Sequence, residues 1–505
     1  MRALLFFSLV LVASSVSVSA QDHQDAFVKA TDALLQETLA EFGTVPGLAM
    51  AVVHGDETIY ARGAGLADVE AGVPFTADTP FYIASVTKPF TALLATLLDR
   101  EGTLPLDATL AGLFPNVPFD PAIEADQVTV RHLLSHTAGI DNGPIGFRAA
   151  FTGEHTPARM RQLLAGTVVE EDSPRGTFEY TNVGYNILSL HLDELDGGPW
   201  QDLLADRLFA PLGMTRTTAY ASEAASWRPA MPYTSTPDGG AERIDLVKHD
   251  DTMQAAGGMI ASANDLARWL TLHLNDGRLD GRQLVPADVI AEVHQPIAVD
   301  RGDSFGPFER EGYSLGWQTG TYDGDAMLHH FGGFAGFHAH TSFMPDRDLG
   351  VVVLANNSNV GGRLAMLFAT FAYDWWSAEP SERDGVLART REARDEISVQ
   401  VKASLDRYAR SLAQRAERTW QLSLDPAAYT GTYVNADYGT MVVEQADGEL
   451  AARFGRLHAV GTPFTQPETM RVELIPGRGQ AIRFRLDGNR PNALTWSGET
   501  FERVD

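Results

Sequence analysis

Cysteine is absent from the 505 residues, which excludes disulfides, cysteine-ligated zinc and a thiol nucleophile. Lysine is nearly absent: of the 39 basic residues only Lys29, Lys88, Lys248 and Lys402 are lysine. Positive charge as a whole is scarce, because 66 acidic residues leave a formal net charge of -27. Such a surface repels phosphate and excludes nucleic acid as an expected partner. Long hydrophobic runs are missing too. A bilayer span needs about 20 apolar residues. The best late run, Leu349 to Ala355, reads instead as a buried strand. The 44% hydrophobic content is that of an ordinary globular chain, long enough for two or three domains.

Residues 1–20 read as a targeting segment. Arg2 precedes an apolar run from Ala3 to Ala13, followed by small residues that end Val18-Ser19-Ala20. Charge, short apolar core and small-residue exit describe a secretory signal peptide. The expectation is an exported protein, periplasmic or extracellular, with no transmembrane segment in the mature chain.

Gly47–Val53 and Glu57–Ala61 read as strands around a turn at His54-Gly55-Asp56. Val86–Asp99, Val130–Ser135, Val183–Leu195 and Asp265–Leu274 read as helices, the last with Ser262 or Asn264 as cap and Gly277 as stop. Strands return at Ser314–Gln318, Gly336–Met344 and Leu349–Ala355. This order predicts an α+β unit over residues 21–378: a mixed sheet flanked by helices, with a helical subdomain. Residues 379–422 form a charged linker. Within it Ile397, Val401, Leu405, Tyr408 and Leu412 make one apolar stripe at helical spacing. From residue 423 to 505 the period changes to two, as in Met470, Val472 and Leu474, predicting a small antiparallel barrel or sandwich.

The strongest chemical signal is Ser85-Val86-Thr87-Lys88 at the start of a buried helix. Residues three apart share a helix face, so Lys88 can reach the Ser85 hydroxyl and help remove its proton. A lysine inside an apolar helix needs a reason. The second signal is Tyr180-Thr181-Asn182 before the next helix. Tyr180 can serve as general base or acid if a cation lowers its pKa from about 10. Asn182 can bond Lys88 or substrate. The third is His330-Phe331-Gly332-Gly333. Its glycines admit close approach of substrate to backbone, and the amides of Gly333 and Ser85 can form an oxyanion site. His330 can bind a substrate carboxylate or shuttle a proton. His329, His330, His338 and His340 lack an acidic ligand set, so no metal is expected. His132 and His136 lack the glutamate of a zinc motif and read as structural.

Together these segments resemble the serine β-lactamase and penicillin-binding superfamily, in its class C-like branch. The resemblance runs from about Val45 to Asn357 and includes Val130-Arg-His-Leu-Leu-Ser-His-Thr-Ala-Gly139 and Ala256-Gly-Gly-Met259. It implies Ser85 as nucleophile, Lys88 as its proton partner, Tyr180 as general base and Asn182 as ligand of lysine and substrate. It also implies Gly333 as oxyanion donor, and a lipocalin-like β domain from Ala427 onward. At the third motif the class C β-lactamases carry Lys-Thr-Gly, whereas this chain has His330-Phe331-Gly332. Neutral histidine grips a carboxylate less firmly than lysine. The expectation is therefore an exported serine hydrolase without cofactor or metal. It forms an acyl-enzyme on an ester, a D-amino-acid amide or peptide, or a lactam. Esterase or D-peptidase is favoured over efficient β-lactamase. The alternative is a non-catalytic relative that binds peptidoglycan or peptides. Specificity is expected in the loops 142–170 and 221–251. A rival nucleophile, Ser314, sits in Gly312-Tyr313-Ser314-Leu315-Gly316, but that motif requires a strand, a sharp turn and a helix.

Overall fold

A strand that is apolar along its whole length must be covered on both faces. Gly47–His54 (β1) is such a strand, buried at every position but the last. It pairs with Glu57–Asp68 (β2) on one side. On the other it pairs with the Leu349–Ala355 segment, so strands from early and late in the main unit are neighbours inside the sheet. The computed structural model describes residues 20–195, 197–300, 306–446 and 448–505. The expected targeting segment lies outside them, apart from Ala20.

Among the described residues the main sheet has nine antiparallel strands. After β1 and β2 come Val73–Pro74 (β3), Ala298–Val299 (β4), Glu309–Tyr313 (β5) and Gln318–Tyr322 (β6). Asp325–Phe334 (β7), Phe337–Met344 (β8) and Leu349–Ala355 (β9) complete it. Their order is β4-β5-β6-β7-β8-β9-β1-β2-β3. One face is covered by Ala20–Glu41 (α1), which the sequence reading had not placed, and by Gly361–Ser377 (α6 in chain order). The opposite face packs on Thr87–Arg100 (α2) and Ala263–Leu274 (α5). Between these two lie the short helices Val130–Leu134 (α3) and Val183–Leu192 (α4). Ser262 caps α5 by accepting from the Asp265 amide. The expected strand at Ser314–Gln318 is instead mostly the turn between β5 and β6. Gly316 takes φ +84 there, and the Ser314 amide donates to the Trp317 carbonyl.

The charged linker forms one helix, Arg383–Ala416 (α7), about 50 Å long. Its apolar stripe docks only in part. Val401 is buried and Ile397 and Leu405 pack beside it, but Tyr408 and Leu412 stay exposed. The helix outruns the main unit and reaches the C-terminal one.

That unit is a second nine-stranded antiparallel sheet, spanning Gly431–Arg503. Thr469–Ile475 (β10) and Arg478–Asp487 (β11) form one of its hairpins. Its two edge strands, Leu457–Val460 and Thr462–Pro463, are consecutive in sequence, so the sheet curls into a nearly closed barrel. Closure removes the edges that invite aggregation.

The barrel does not hang free. Phe147 packs against Trp496 at 4.9 Å and Phe454 at 5.3 Å between ring centroids. Arg148 donates to the Asp437 carbonyl, and Arg456 pairs with Asp251. Phe147→Ala removes the aromatic plug and should weaken docking by about 2 kcal/mol. Calorimetry should then resolve a separate barrel transition; an unchanged single transition would show that the plug does not couple the two units.

Candidate active site

Ser85 lies in a 3₁₀ turn, Ala84–Val86, that leads straight into α2. Ala84 takes φ +46, a strained conformation for a residue with a side chain. The turn is held from below. Thr87 Oγ1 donates to the Ala84 carbonyl and accepts from the Met259 amide. Thr91 donates to the Ala255 carbonyl, and the Tyr82 hydroxyl to that of Gly257. These bonds fix segment 254–259 against α2.

Lys88 is fully buried on the same helix face. Its Nζ stands 3.0 Å from Ser85 Oγ, 2.8 Å from Asn182 Oδ1 and 2.8 Å from the Ala256 carbonyl. No carboxylate is among these partners. Burial without a counter-charge pushes the Lys88 amine well below its ordinary value of 10.5. A neutral lysine has two N–H groups and one lone pair. Two carbonyl oxygens take the former, which leaves the lone pair facing the Ser85 hydroxyl.

Tyr180 stands over this pair, its ring centroid 4.8 Å from Lys88 Nζ and its hydroxyl in hydrogen-bonding reach of Ser85. The ring stacks 4.4 Å from His136, which also accepts from the Thr181 amide through Nδ1. His136 is thus structural, as expected, and orients the Tyr180–Asn182 loop. One expectation is reversed. The anticipated cation does not lower the Tyr180 pKa. The residue keeps 38% of its surface exposed, yet desolvation on its inner side raises the phenol pKa, against smaller pulls from Ser85 and Arg310. The hydroxyl therefore keeps its proton at neutral pH in the resting site.

His330 differs more. It is buried, with Nδ1 2.8 Å from the Phe331 carbonyl and Nε2 3.1 Å from the Tyr313 hydroxyl. Both ring nitrogens are engaged. Burial lowers its pKa to about 3. A neutral, fully bonded imidazole is neither a carboxylate grip nor a proton shuttle. His330 instead supports Tyr313, which packs on His136 at 4.7 Å. Of the neighbouring histidines, His340 is absorbed into packing: it bonds Ser342, which bonds Tyr373. Among the described residues no group of three or more side chains is arranged to hold a metal.

Gly332 and Gly333 separate in role. A Cβ on Gly332 would stand 1.9 Å from the Ile83 carbonyl oxygen, so this glycine lets β7 lie against the Ser85 turn rather than touching substrate. Gly333 has open space beside it and lines the cleft. The two-residue turn Ala335-Gly336 makes Phe334 and Phe337 the hydrogen-bonded pair, so the next pair, Gly333 and His338, is not bonded. The Gly333 amide therefore points to the other edge, where β6 stops pairing at His329.

The cleft has a volume of about 430 Å³ and is lined by Ser85, Asn182, Gly333 and Phe334 among others. Ala150 and Phe151 come from the expected specificity loop 142–170. The loop 221–251 contributes from behind: Lys248 lies 4.3 Å over the Phe334 ring and donates to the Ala150 carbonyl. Gln254, Tyr82 and His338 also line the cleft, as do Ile475, Pro476 and Arg478 of the barrel. The sequence reading missed all of these. No local signal marks them, because folding alone brings them to Ser85. A larger cavity of about 990 Å³ lies between α7, the barrel and segment 234–249, and Ser85 does not line it. Ser314 is fully buried, its hydroxyl 3.3 Å from the Trp317 carbonyl, and a strand rather than a helix follows it.

Residues 35–368, well over half of the chain, match the Beta-lactamase family. The chain belongs to that family and is a β-lactamase-fold serine hydrolase. Penicillin-binding protein 4 of Amycolatopsis lactamdurans is 31% identical over 320 residues, covering 62% of this chain and 81% of its own. The octameric penicillin-binding protein homologue from Pyrococcus abyssi superposes with a TM-score of 0.59 at 21% identity, over 94% of this chain and 99% of its own. The D-amino acid amidase from Ochrobactrum anthropi SV3 gives 0.54 at 23% identity, over 73% and 98%. At such identities the structural likeness speaks for the fold.

Gly332→Ala forces the added methyl into the Ile83 carbonyl. It should destabilise the chain by about 3 kcal/mol or displace β7, with hydrolysis lost in either case. Thermal unfolding with an ester assay checks this; a fully active, equally stable variant would refute the close-approach role.

Proposed function

We propose that the protein is an exported serine hydrolase that works through an acyl-enzyme. Esters and D-amino-acid amides or peptides are its substrates in preference to lactams. The observation that carries the reading is the 3.0 Å contact between Ser85 Oγ and a buried Lys88 without a counter-ion. Neutral Lys88 takes the Ser85 proton as Oγ attacks the acyl carbonyl carbon. The amides of Ser85 and Gly333 receive the developing oxyanion, as first-turn N–H groups have no intrahelical acceptor. Tyr180, holding its proton, gives it to the leaving group as the carbonyl–leaving-group bond breaks, and Lys88 returns a proton to Tyr180. Water then attacks the ester on Ser85, losing its proton to the same pair, and Ser85 leaves with a proton restored. Asn182 holds the Lys88 amine and reaches the substrate. The reading needs no metal or cofactor.

Two features favour amides and esters over lactams. His330 brings no charge to the third motif, so a lactam carboxylate finds no cation there. The fold is shared with a D-amino acid amidase. Export rests on the charge, apolar run and small-residue exit of residues 1–20. Among the described residues no helix is long and apolar enough to cross a membrane.

A fluorophosphonate probe should label Ser85, with the adduct located by peptide mass. Ser85→Ala should lose labelling and reduce p-nitrophenyl ester hydrolysis by about 10³-fold or more, while Ser314→Ala retains both. An unlabelled native chain favours the non-catalytic binder, and label on Ser314 overturns the assignment.

The pH profile is also fixed in sign. Activity needs Lys88 deprotonated, so kcat/KM on a neutral ester should fall as pH drops through the depressed Lys88 pKa, well below 10.5. Tyr180 is pushed up, so no alkaline loss from it should appear before pH about 10. An activity that rises only near pH about 10 would contradict a neutral Lys88.

A further inference from the structure

A second lysine stands beside the cleft, and the reaction does not use it. Lys248 is partly buried, and its Nζ lies 4.3 Å from the ring centroid of Phe334, 5.6 Å from that of Phe151 and 5.7 Å from that of Tyr82. All three rings line the cleft with Ser85. They also touch one another: Phe334 stacks on Phe151 at 5.9 Å and meets Tyr82 edge-on at 5.3 Å. The amine donates to the carbonyls of Ala150 and Thr252, and no carboxylate accompanies them. The acids next to it in sequence are engaged elsewhere, Asp250 by Ser222 and Asp251 by Arg456. Enclosure without a counter-ion lowers the Lys248 pKa to about 7. The three rings come from separate stretches of chain. Tyr82 precedes the Ser85 turn, and its hydroxyl donates to the Gly257 carbonyl. Phe151 belongs to the π-helical turn Arg148–Thr152, and Phe334 ends β7 beside Gly333. Lys248 reaches all three, and its bond to the Ala150 carbonyl anchors the turn that carries Phe151.

We propose that Lys248 is a positioning residue that sets substrate selectivity: it clamps Tyr82, Phe151 and Phe334 into one wall, and the substrates so favoured lay an apolar, ring-sized group against that wall while their carbonyl lies at Ser85. An ammonium group is attracted to ring faces, and the two carbonyl bonds fix where it stands. The rings therefore hold their places before substrate arrives, and binding does not have to order them. Lys248 joins the loop 221–251 to the loop 142–170 and to the end of β7, so one side chain ties both expected specificity loops to the strand that carries Gly333. It touches no reacting atom. Its contribution passes through the wall and reads in KM rather than in the chemical step. The proposal rests on Ser85 being the nucleophile.

Two matched substrate pairs test it. p-Nitrophenyl 3-phenylpropionate against p-nitrophenyl acetate places the ring in the acyl part. Benzyl acetate against ethyl acetate, followed by acid release, places it in the leaving part. The native protein should prefer the ring-bearing member of one pair, and that pair identifies the side. Lys248→Met keeps the length of the side chain but removes its donors. It should lower kcat/KM for that member about 10-fold more than for its partner, chiefly through KM. Lys248→Arg, which keeps the cation and the donors, should restore part of the preference. Phe334→Leu should lose the same preference with Lys248 in place, and the double variant should lose no more than the larger single loss. Equal treatment of both members of each pair by the native chain overturns the proposal. So does an equal loss on both members in Lys248→Met, or additive losses in the double variant. Should Lys248→Met fail to fold, Phe334→Leu and Lys248→Arg decide, and an equal loss on both members in each overturns the clamp. Ser85→Ala on ethyl acetate reads the nucleophile separately, because that ester carries no ring.

Discussion

A lysine amine buried with three neutral oxygen partners is the constraint on which the site depends. Its charged form would have to lose water without gaining a counter-ion, so the neutral form is favoured. Everything nearby serves that state. Asn182 and Ala256 occupy the N–H groups, Tyr180 and Tyr185 present ring faces, and helix α2 sets the spacing to Ser85. Placing a carboxylate beside Lys88 would restore its charge and remove its capacity as a base. The absence of acidic residues around it is thus a positive feature of the design.

That arrangement requires elements far apart in sequence to converge. Segment 254–259 must supply a carbonyl, α4 must begin at an asparagine, and β7 must pass close to the Ser85 turn. Each is secured locally: by Thr87 and Thr91, by His136, and by the missing side chain of Gly332. The barrel adds a further wall, joined through Phe147 and Phe151, the latter stacked 5.9 Å from Phe334. Core, loop, barrel and cleft are continuous in packing.

The Ser85–Lys88 pairing was legible in sequence because one helical turn sets it, and the antiparallel C-terminal unit was legible from its period of two. Helix α5 was readable from its cap. What could not be read depended on who meets whom in space. Partial desolvation of Tyr180 raises its pKa instead of lowering it, and no local pattern carries that. His330 looked available until Tyr313 and the Phe331 carbonyl took both of its nitrogens. Ser314 matched a motif whose meaning depends on a helix that the turn at Gly316 denies it.

The scarcity of lysine offers the most direct test of the central claim. With only four lysines, selective ¹³C labelling at lysine Cε gives a spectrum in which the Lys88 signal is assigned by its loss in Lys88→Arg. Followed against pH, that signal should titrate well below 10.5, in the folded protein and without substrate. A Lys88 signal that titrates at or above 10.5 would show a charged amine in the resting site and contradict the account.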